Sequence, residues 1–280
     1  MTVSSHPINI RKIRGDSANS VTDKVAVEEP LEVRLGFATP AGRTTKSISI
    51  TMRTPGHDAD LAVGFLYSEG IISQVGDVDS VETSGPPAPD TGTHNIIRVD
   101  LAAGVDIDLG RLQRHFYTTS SCGVCGKSSL DALRVTGVEA LDLHRGRFEK
   151  STIISMPDAL RAHQGTFDET GGLHAAAAFD SQGEIVLARE DVGRHNAVDK
   201  VVGALFRAGH LPASELGLIV SGRASFELMQ KALVAGFPLL AAVSAPSSLA
   251  VQLAQDFNVS LVGFLRGDSF NIYSAGERIT

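Results

Sequence analysis

Short apolar runs alternate with longer amphipathic segments through the second half of the chain. Strands are expected at Leu173–Phe179, Glu184–Ala188, Leu216–Val220, Pro238–Val243 and Val259–Leu265, and helices at Arg194–Arg207, Ala224–Ala235 and Ser248–Asp256. Parallel strands need long crossover connections, which are usually helical. The alternation therefore predicts an α/β core with a largely parallel sheet covered by helices on both faces.

The first half has a weaker pattern. Alternating polar and apolar residues predict strands at Leu31–Leu35, Ser47–Arg53 and Asn95–Leu101. Helices are expected at Asp58–Gly70 and Asp108–Phe116, and the turn-rich segment Thr83–His94 is expected to be a solvent loop. With a boundary near His144–Lys150, we predict an N-terminal extension at 1–30, a smaller α+β part at 31–145 and the α/β core at 146–280.

The bulk composition excludes several classes of protein. The chain has 280 residues, 42% of them hydrophobic, and a formal net charge of −7. That charge gives no general attraction to nucleic acid. The first 20 residues lack the apolar stretch of a signal peptide, and no segment has the roughly 20 apolar residues of a membrane span. We therefore expect a cytoplasmic protein without nucleic-acid or membrane partners.

The only two cysteines, Cys122 and Cys125, lie in the segment SSCGVCGK. The second thiol and the nearby Lys127 favour the thiolate, which can take sulfur from a donor and hold it as a persulfide. The Gly-punctuated segment Thr118–Ser129 is expected to be a mobile loop. Half of a zinc site and a thioredoxin-type redox pair are alternatives, and the motif alone leaves metal binding and sulfur or redox chemistry about equally supported.

Two kinds of zinc site can be tested within the sequence. A structural site needs four ligands, and there is no second cysteine pair. A zinc deaminase needs His-x-Glu or Cys-x-Glu beside Pro-Cys-x-x-Cys. No His or Cys is followed two residues later by Glu, and Ser121 precedes Cys122. Deaminase chemistry is therefore disfavoured.

The segment REDVGRHNAVDK, at Arg189–Lys200, is expected to follow a strand and open a helix. On that helix, two i,i+4 pairs are expected, His195 with Asp199 and Asn196 with Lys200. We expect four side chains to project from the strand end toward a ligand or the cysteine loop: Glu190, Asp191, Arg194 and His195. Capping and surface ion pairs are the alternative explanation, although the segment holds more polar groups than a cap requires.

Three further loops follow expected strands: SGRAS at Ser221–Ser225, SAPSS at Ser244–Ser248 and FLRGDS at Phe264–Ser269. In an open parallel sheet they would share the carboxyl-end edge, where ligands usually bind. Helix N-termini, Ser hydroxyls and arginines suit phosphate oxygens, and the Asp268 carboxylate can accept from guanine. Singly each loop is more often an ordinary cap, but together they favour a nucleotide-like ligand. Neither a Gly-x-Gly-x-x-Gly nor a Walker lysine motif follows a strand.

The chain resembles the FdhD family of formate dehydrogenase accessory sulfurtransferases between about Leu31 and Tyr273. Long motifs in the family's order carry the likeness: SSCGVCGK, TGGLHAAA, REDVGRHNAVDK, SGRASFELMQKA, SAPSSLAV and LVGFLRG. The resemblance implies a cytidine-deaminase-like α/β/α sandwich with a mainly parallel or mixed sheet, without the zinc site and usually as a homodimer. We expect no tightly held metal of its own.

The resemblance also implies a route for sulfur. A cysteine desulfurase would supply it, Cys122 would carry it as a persulfide, and the bis(molybdopterin guanine dinucleotide) form of the molybdenum cofactor would receive it for formate dehydrogenase. The residues implied to contact the cofactor, including its guanine nucleotide portion, are Phe264, Leu265, Arg266, Gly267, Asp268 and Ser269.

The role of Cys125 stays open between tuning the Cys122 thiolate and attacking the persulfide to release its outer sulfur. The rival function is a chaperone that binds and delivers the molybdenum cofactor without transferring sulfur. A mobile thiol pair distinguishes the two, since a simple carrier of the cofactor does not need it. A disulfide reductase is the weaker alternative, because its usual aromatic and Pro neighbours are missing around Cys122.

Overall fold

A computed structural model describes residues 4–88, 91–105, 107 and 138–280. Its strands are β1 (Ser5–Arg14), β2 (Ser17–Ala26), β3 (Glu29–Thr39), β4 (Gly42–Arg53), β5 (Val78–Pro87), β6 (His94–Leu101), β7 (His174–Phe179), β8 (Ile185–Asp191), β9 (Gly217–Val220), β10 (Leu239–Ala242), β11 (Ser260–Arg266) and β12 (Ser269–Ser274). The described helices are α1 (Asp58–Ser68), α2 (Lys150–Arg161), α3 (Gly165–Thr170), α4 (Arg194–Arg207), α5 (Phe226–Val234) and α6 (Ser248–Asp256), with 3-10 turns at Val75–Asp77 and Gly276–Arg278.

The larger sheet has six strands in the order β12-β11-β10-β9-β7-β8. Only β9, β10 and β11 run parallel to one another, while β7, β8 and β12 pair in the antiparallel sense. The largely parallel sheet expected from the alternation was therefore wrong, and the sheet is mixed, which is the second of the two arrangements that the resemblance implies. Short turns join β7 to β8 and β11 to β12, and a turn that short can only connect antiparallel neighbours.

Helices cover both faces of this sheet. Alternate residues of β7 bury toward opposite sides, with Ala176 and Ala178 in the cluster beneath α4, α5 and α6 and Ala175 and Ala177 in the cluster beneath α2. All four are almost completely buried. The result is three layers, as small side chains in the strand allow. Its likeness to cytidine deaminases stays a prediction.

The smaller sheet has the order β4-β3-β6-β5 and packs its apolar face on α1. Strand β5 pairs along β6 as far as Pro87, so the predicted loop at Thr83–His94 is too long. The prolines of this segment were interpreted as loop residues. A proline is tolerated in an edge strand such as β5, because one side of its backbone needs no hydrogen-bond partner.

The two sheets are joined where α1 crosses α4. The crossing places Gly64 against Gly203 so closely that a methyl group added to Gly203 would lie 1.8 Å from the Asp60 carbonyl oxygen. Only glycine fits at such a contact. Next to it the rings of Tyr67 and Phe206 stand 5.2 Å apart between centroids. We call this contact region the seam.

Strands β1 and β2 form a hairpin, for which the sequence carried no prediction. Most of its side chains are exposed, and Lys24 of β2 and Ser5 of β1 both contact Glu169 of α3, at 2.9 and 3.0 Å. The hairpin is thus held to the core at its base. Among the residues that the structure describes, no helix has the length and apolar character needed to cross a membrane.

Candidate functional site

The three predicted loops lie side by side at the carboxyl end of β9, β10 and β11. Backbone hydrogen bonds connect them, with the Ser244 N–H donating to the Gly222 carbonyl at 3.2 Å and the Phe264 N–H donating to the Ser244 carbonyl at 3.1 Å. The Ser247 N–H also donates to the Ala224 carbonyl at 2.9 Å. Their predicted adjacency is confirmed. We call this region the strand-end edge.

The serines of these loops have different partners. Ser247 caps α6, since its hydroxyl accepts from the Ala250 N–H at 3.2 Å. Ser225 precedes α5 without capping it, and its hydroxyl lies 3.4 Å from Nε2 of His195. Arg223, in the loop that follows β9, is exposed. Ser247 is therefore an ordinary helix cap, whereas Ser225 and Arg223 remain candidates for ligand binding at the strand-end edge.

The segment Phe264–Ser269 is a tight hairpin, because β11 extends to Arg266 and only Gly267 and Asp268 connect it to β12. Phe264 has a left-handed backbone, φ 53°, and a side chain that is 38% exposed. Such a conformation is strained for a residue with a Cβ and often marks a functional position. The side chain of Leu265 is completely buried, so of this residue only the backbone can meet a ligand.

The antiparallel strand β7 brings His174 to the same edge. Ala175 donates its N–H to the Ser221 hydroxyl, and Ser221 donates its N–H to the Ala175 carbonyl, both at 2.9 Å. The orientation of β7 decides this placement, because its first residues lie beside the last residues of β9. The sequence motif TGGLHAAA contained His174, but no role was predicted for it.

His195, at the start of α4, faces this edge as a neutral imidazole. Burial lowers its pKa to about 4, and the positive charges of Arg194 and Lys231 act in the same direction, against a smaller opposing effect of Glu227. Its Nε2 lies 3.8 Å from the nearer carboxylate oxygen of Glu227. At neutral pH the ring can therefore both donate and accept a hydrogen bond.

Arg194 has the most conspicuous unsatisfied group. Its Nε is buried and has no hydrogen-bond partner in the part of the chain that the structure describes. Buried N–H groups are nearly always paired in folded proteins, so this orphan calls for an acceptor from outside the described residues. A phosphate or carboxylate oxygen has the required chemistry.

The remaining residues of REDVGRHNAVDK point elsewhere. Asp191 is fully buried, pairs with Lys200 at 2.7 Å and accepts from the Thr54 N–H at 3.3 Å. Arg189 donates to Asp60 at 3.0 Å. The Glu190 carboxylate accepts two backbone N–H groups at the start of α3. The expectation that Glu190 and Asp191 project toward a ligand was wrong, because β8 continues through them and both carboxylates bind groups of the chain itself, Glu190 at the start of α3 and Asp191 at Lys200 and Thr54.

The two predicted i,i+4 pairs on α4 were also wrong. Asp199 pairs with Lys231 of α5 at 2.8 Å and accepts from Ser68 of α1, instead of meeting His195. Asn196 donates to the Met52 carbonyl at 2.8 Å. Asp199, Lys231 and Ser68 are buried, so the Asp199–Lys231 ion pair is internal and not at the surface.

Comparison with known proteins identifies the family. The model of the FdhD/NarQ family matches residues 26–280. The chain belongs to this family. A relative from Streptomyces avermitilis, named sulfur carrier protein FdhD, is 51% identical over 96% of this chain and 93% of its own length. One from Mycobacterium tuberculosis with the same name is 48% identical, over 97% of each chain.

A solved structure shares the fold. The crystal structure of a protein from Desulfotalea psychrophila, described as a formate dehydrogenase accessory protein, superposes with a TM-score of 0.75. The alignment covers 99% of this chain and all of the other, at 22% sequence identity. This likeness supports the arrangement of the two sheets in an FdhD/NarQ protein.

The cysteines of this FdhD/NarQ chain, Cys122 and Cys125, lie outside the described residues, as does Lys127. The predicted loop Thr118–Ser129 and the predicted helix Asp108–Phe116 also fall there. The described site is therefore the strand-end edge, with His174, Arg194 and His195 added to the predicted loops.

Proposed function

We propose that this protein is a sulfur carrier that takes sulfur from a cysteine desulfurase on Cys122 and passes it to the molybdenum cofactor of formate dehydrogenase. The proposal is supported by the names of the relatives together with the number of cysteines in this chain. Relatives about 50% identical over nearly the whole chain are named sulfur carriers, and this chain has only two thiols, both within the matched region. A thiol-based carrier of this sequence has to use Cys122 or Cys125.

The first step is a thiolate exchange. The Cys122 thiolate attacks the outer sulfur of the desulfurase persulfide, and the sulfur–sulfur bond of the donor breaks. The donor leaves as a thiolate, and Cys122 becomes the persulfide. Electrons balance, because the transferred sulfur keeps its oxidation state and only changes its thiol partner.

Release of sulfur as sulfide needs two electrons, which Cys125 can provide. Its thiolate attacks the inner sulfur of the Cys122 persulfide, hydrosulfide leaves with the bonding pair, and a disulfide joins Cys122 to Cys125. A cellular dithiol then restores both thiols by exchange. If Cys125 only tunes the Cys122 thiolate, the same two electrons come from an external thiol instead.

The strand-end edge supports recognition of the proposed substrate, the bis(molybdopterin guanine dinucleotide) cofactor. The orphaned Nε of Arg194 and the exposed guanidinium groups of Arg223 and Arg266 suit its phosphates. The exposed Asp268 carboxylate can accept from the guanine base. Because Phe264 and Arg194 belong to the prearranged edge, binding would order few additional groups.

Peptide mass spectrometry tests sulfur carriage directly. The full chain is incubated with a cysteine desulfurase and cysteine, then digested without reductant. We expect a gain of about 32 Da, one sulfur atom, on the peptide that contains Cys122. Cys122→Ser should abolish the gain and client activation, whereas Cys125→Ser should keep the gain. A wild-type chain that never gains sulfur, yet still activates formate dehydrogenase, would establish the chaperone instead.

A double variant separates sulfur loading from delivery. Arg266→Ala with Asp268→Ala should still gain sulfur on Cys122 but fail to activate formate dehydrogenase. Each lost charged hydrogen bond costs about 1.5–3 kcal/mol, so together they should weaken cofactor binding by several orders of magnitude. Simultaneous loss of sulfur loading in a folded double variant would contradict separate loading and binding sites.

A further inference from the structure

The hairpin of β1 and β2 is a long ribbon that the rest of the described chain leaves largely uncovered. Its ladder has ten residue pairs without a bulge, which at roughly 3.4 Å per residue makes a ribbon about 34 Å long. Every residue from Arg11 to Val25 is exposed. A two-stranded hairpin on its own is at best marginally stable in water. A ribbon of this length therefore gains stability when a partner covers it.

The two faces of the hairpin differ in chemistry. Residues opposite each other in an antiparallel ladder share a face, so Ser5 and Lys24, which both contact α3, lie on the same face. The face that points away from α3 carries a cluster of four apolar residues: Ile8, Ile10, Val21 and Val25. All of them except Ile10 are 38–44% exposed. Apolar side chains that cluster at a surface mark protein contacts, whereas scattered ones do not.

The hairpin is positively charged, unlike the rest of the chain. Between Ser5 and Ala26, four lysines and arginines stand against two aspartates, a net charge of +2. Because the whole chain has a net charge of −7, the remainder carries −9. Lys12 and Arg14 follow the apolar cluster on the same face, toward the tip of the hairpin. An acidic protein is therefore attracted to the hairpin and repelled by the rest of the surface, which orients its approach.

The base of the hairpin lies next to the segment that leads into the strand-end edge. Glu169 of α3 binds both Lys24 and Ser5 of the hairpin. Only three residues separate the end of α3 from the start of β7. The first residue of β7 is His174, which lies at the strand-end edge. A protein that binds the hairpin is therefore held on the side of the molecule where the cofactor is proposed to bind.

We propose that the β1–β2 hairpin is a docking arm for the formate dehydrogenase that receives the cofactor, and that it binds an apolar surface of that enzyme with an acidic rim. The inference rests on the proposed function, because the client enzyme has to be brought to the strand-end edge. The apolar cluster packs on the client, and Lys12 and Arg14 pair with the acidic rim. A second copy of this chain is a poorer occupant, since two chains of net charge −7 repel each other.

Biolayer interferometry tests this contact with the full chain and purified formate dehydrogenase apoenzyme, prepared without its molybdenum cofactor. Two double variants address the two kinds of contact. Lys12→Glu with Arg14→Glu reverses the charge near the tip, and Ile8→Thr with Val21→Thr makes the apolar cluster polar while keeping β-branched side chains. Each should weaken binding at least about tenfold. The charge reversal should also remove much of the dependence of binding on salt concentration.

Matched double variants outside the hairpin should leave the binding of the apoenzyme unchanged. Lys46→Glu with Lys150→Glu makes the same change of charge at two exposed lysines, and Ile50→Thr with Val186→Thr replaces two apolar side chains that are 64% and 48% exposed. Melting curves establish that all four variants fold, and the charge reversal still tests the docking arm if the apolar variant does not fold. Both hairpin variants should gain sulfur on Cys122 and bind GDP as the wild type does.

A wild-type chain that does not bind the apoenzyme, or hairpin variants that bind it as tightly as the matched controls do, would overturn the inference. Sedimentation velocity on the chain alone tests the other occupant. A wild-type dimer that both hairpin variants dissociate would also overturn the inference, because the hairpin would then contact a second copy. The proposed function fails separately, when the wild-type chain gains no sulfur on Cys122.

Discussion

The seam and the strand-end edge are both rich in charged side chains, but their hydrogen bonding differs. Beside the seam, Asp191 is fully buried and satisfied by Lys200 and Asn196 of α4 and by the backbone N–H groups of Thr54 and Gly193. At the edge, Arg194 keeps a buried Nε without a partner among the described residues. One short segment, Arg189–Lys200, supplies residues to both regions.

This difference separates structural from functional polar groups. A charge buried with a complete set of partners fixes the packing of two elements, and removing one partner is costly. A polar group without a partner gives up stability unless something else binds to it. The segment Arg189–Lys200 therefore has two roles. Residues whose hydrogen-bond partners lie within the chain hold the structure together, and a residue with an unpaired donor is available to a ligand.

Lys200→Met should have the largest effect on stability. It leaves Asp191 buried, 0% exposed, without its cation, which typically costs about 3–5 kcal/mol. Urea denaturation should show that loss in the free energy of unfolding. Adding Asp191→Asn to Lys200→Met should recover part of it, and no recovery would mean that the pair's charges are not what stabilises the seam.

Gly203→Ala should have the next largest effect, about 3 kcal/mol, because the added methyl group meets the Asp60 carbonyl carbon at 2.7 Å and its oxygen even closer. The two helices then have to separate. Gly165→Ala is the matched control, since a methyl group there meets nothing within 4 Å. A thermal melt that treats both variants alike would contradict the close crossing.

Arg194→Gln should weaken binding and leave stability almost unchanged, the reverse of the seam variants. GDP, as half of the proposed dinucleotide, should bind about tenfold to a hundredfold more weakly when a charged hydrogen bond is lost. Calorimetric titration measures the change. Arg14→Gln, in the exposed hairpin, should bind GDP like the wild type, and an equal loss in both would indicate only a general charge effect.

The smallest expected effect concerns pH. The folded state lowers the pKa of His195 from 6.5 to about 4, so the unfolded chain binds this proton more readily. The resulting stability is fully present above pH 6.5 and is lost as the pH falls toward 4. With the ring partly exposed, we expect about 1 kcal/mol, measured as a flatter pH profile of stability for His195→Asn between pH 7 and 5. An unchanged profile would contradict a His195 ring that stays neutral in the folded protein.

Much of the larger sheet could be predicted from periodicity. The bounds of α4 and α6 agree with the prediction, and each expected strand of the second half exists. Strand direction could not be predicted, because a buried strand has the same apolar pattern whether its neighbour is parallel or antiparallel. Helix α2 was missed, since no element was predicted between the boundary near His144–Lys150 and Leu173, and Pro157 inside the helix is a residue that usually interrupts one.

The site was predictable to the extent that it follows from strand ends. The three loops come directly after β9, β10 and β11, so their adjacency followed from the order of elements. The inward turn of Glu190 and Asp191 depends on how far β8 continues along β7, which the sequence pattern does not specify. The unpaired Nε of Arg194 could not be predicted, because it depends on whether a neighbouring residue in the folded structure places an acceptor within reach.

The contact between Gly64 and Gly203 also constrains how the protein can be made. The ribosome adds roughly 140 residues between these two glycines, which takes about 7–30 s at usual rates of synthesis. Until then, the side of α1 that later packs on α4 is uncovered, and Asp60 has not yet formed its ion pairs with Arg189 and Arg207. Closure of so distant a contact comes late and joins the two sheets in one cooperative unit. A chaperone would therefore protect the chain most during this period, when the nascent N-terminal half exposes the face of α1 that α4 later covers.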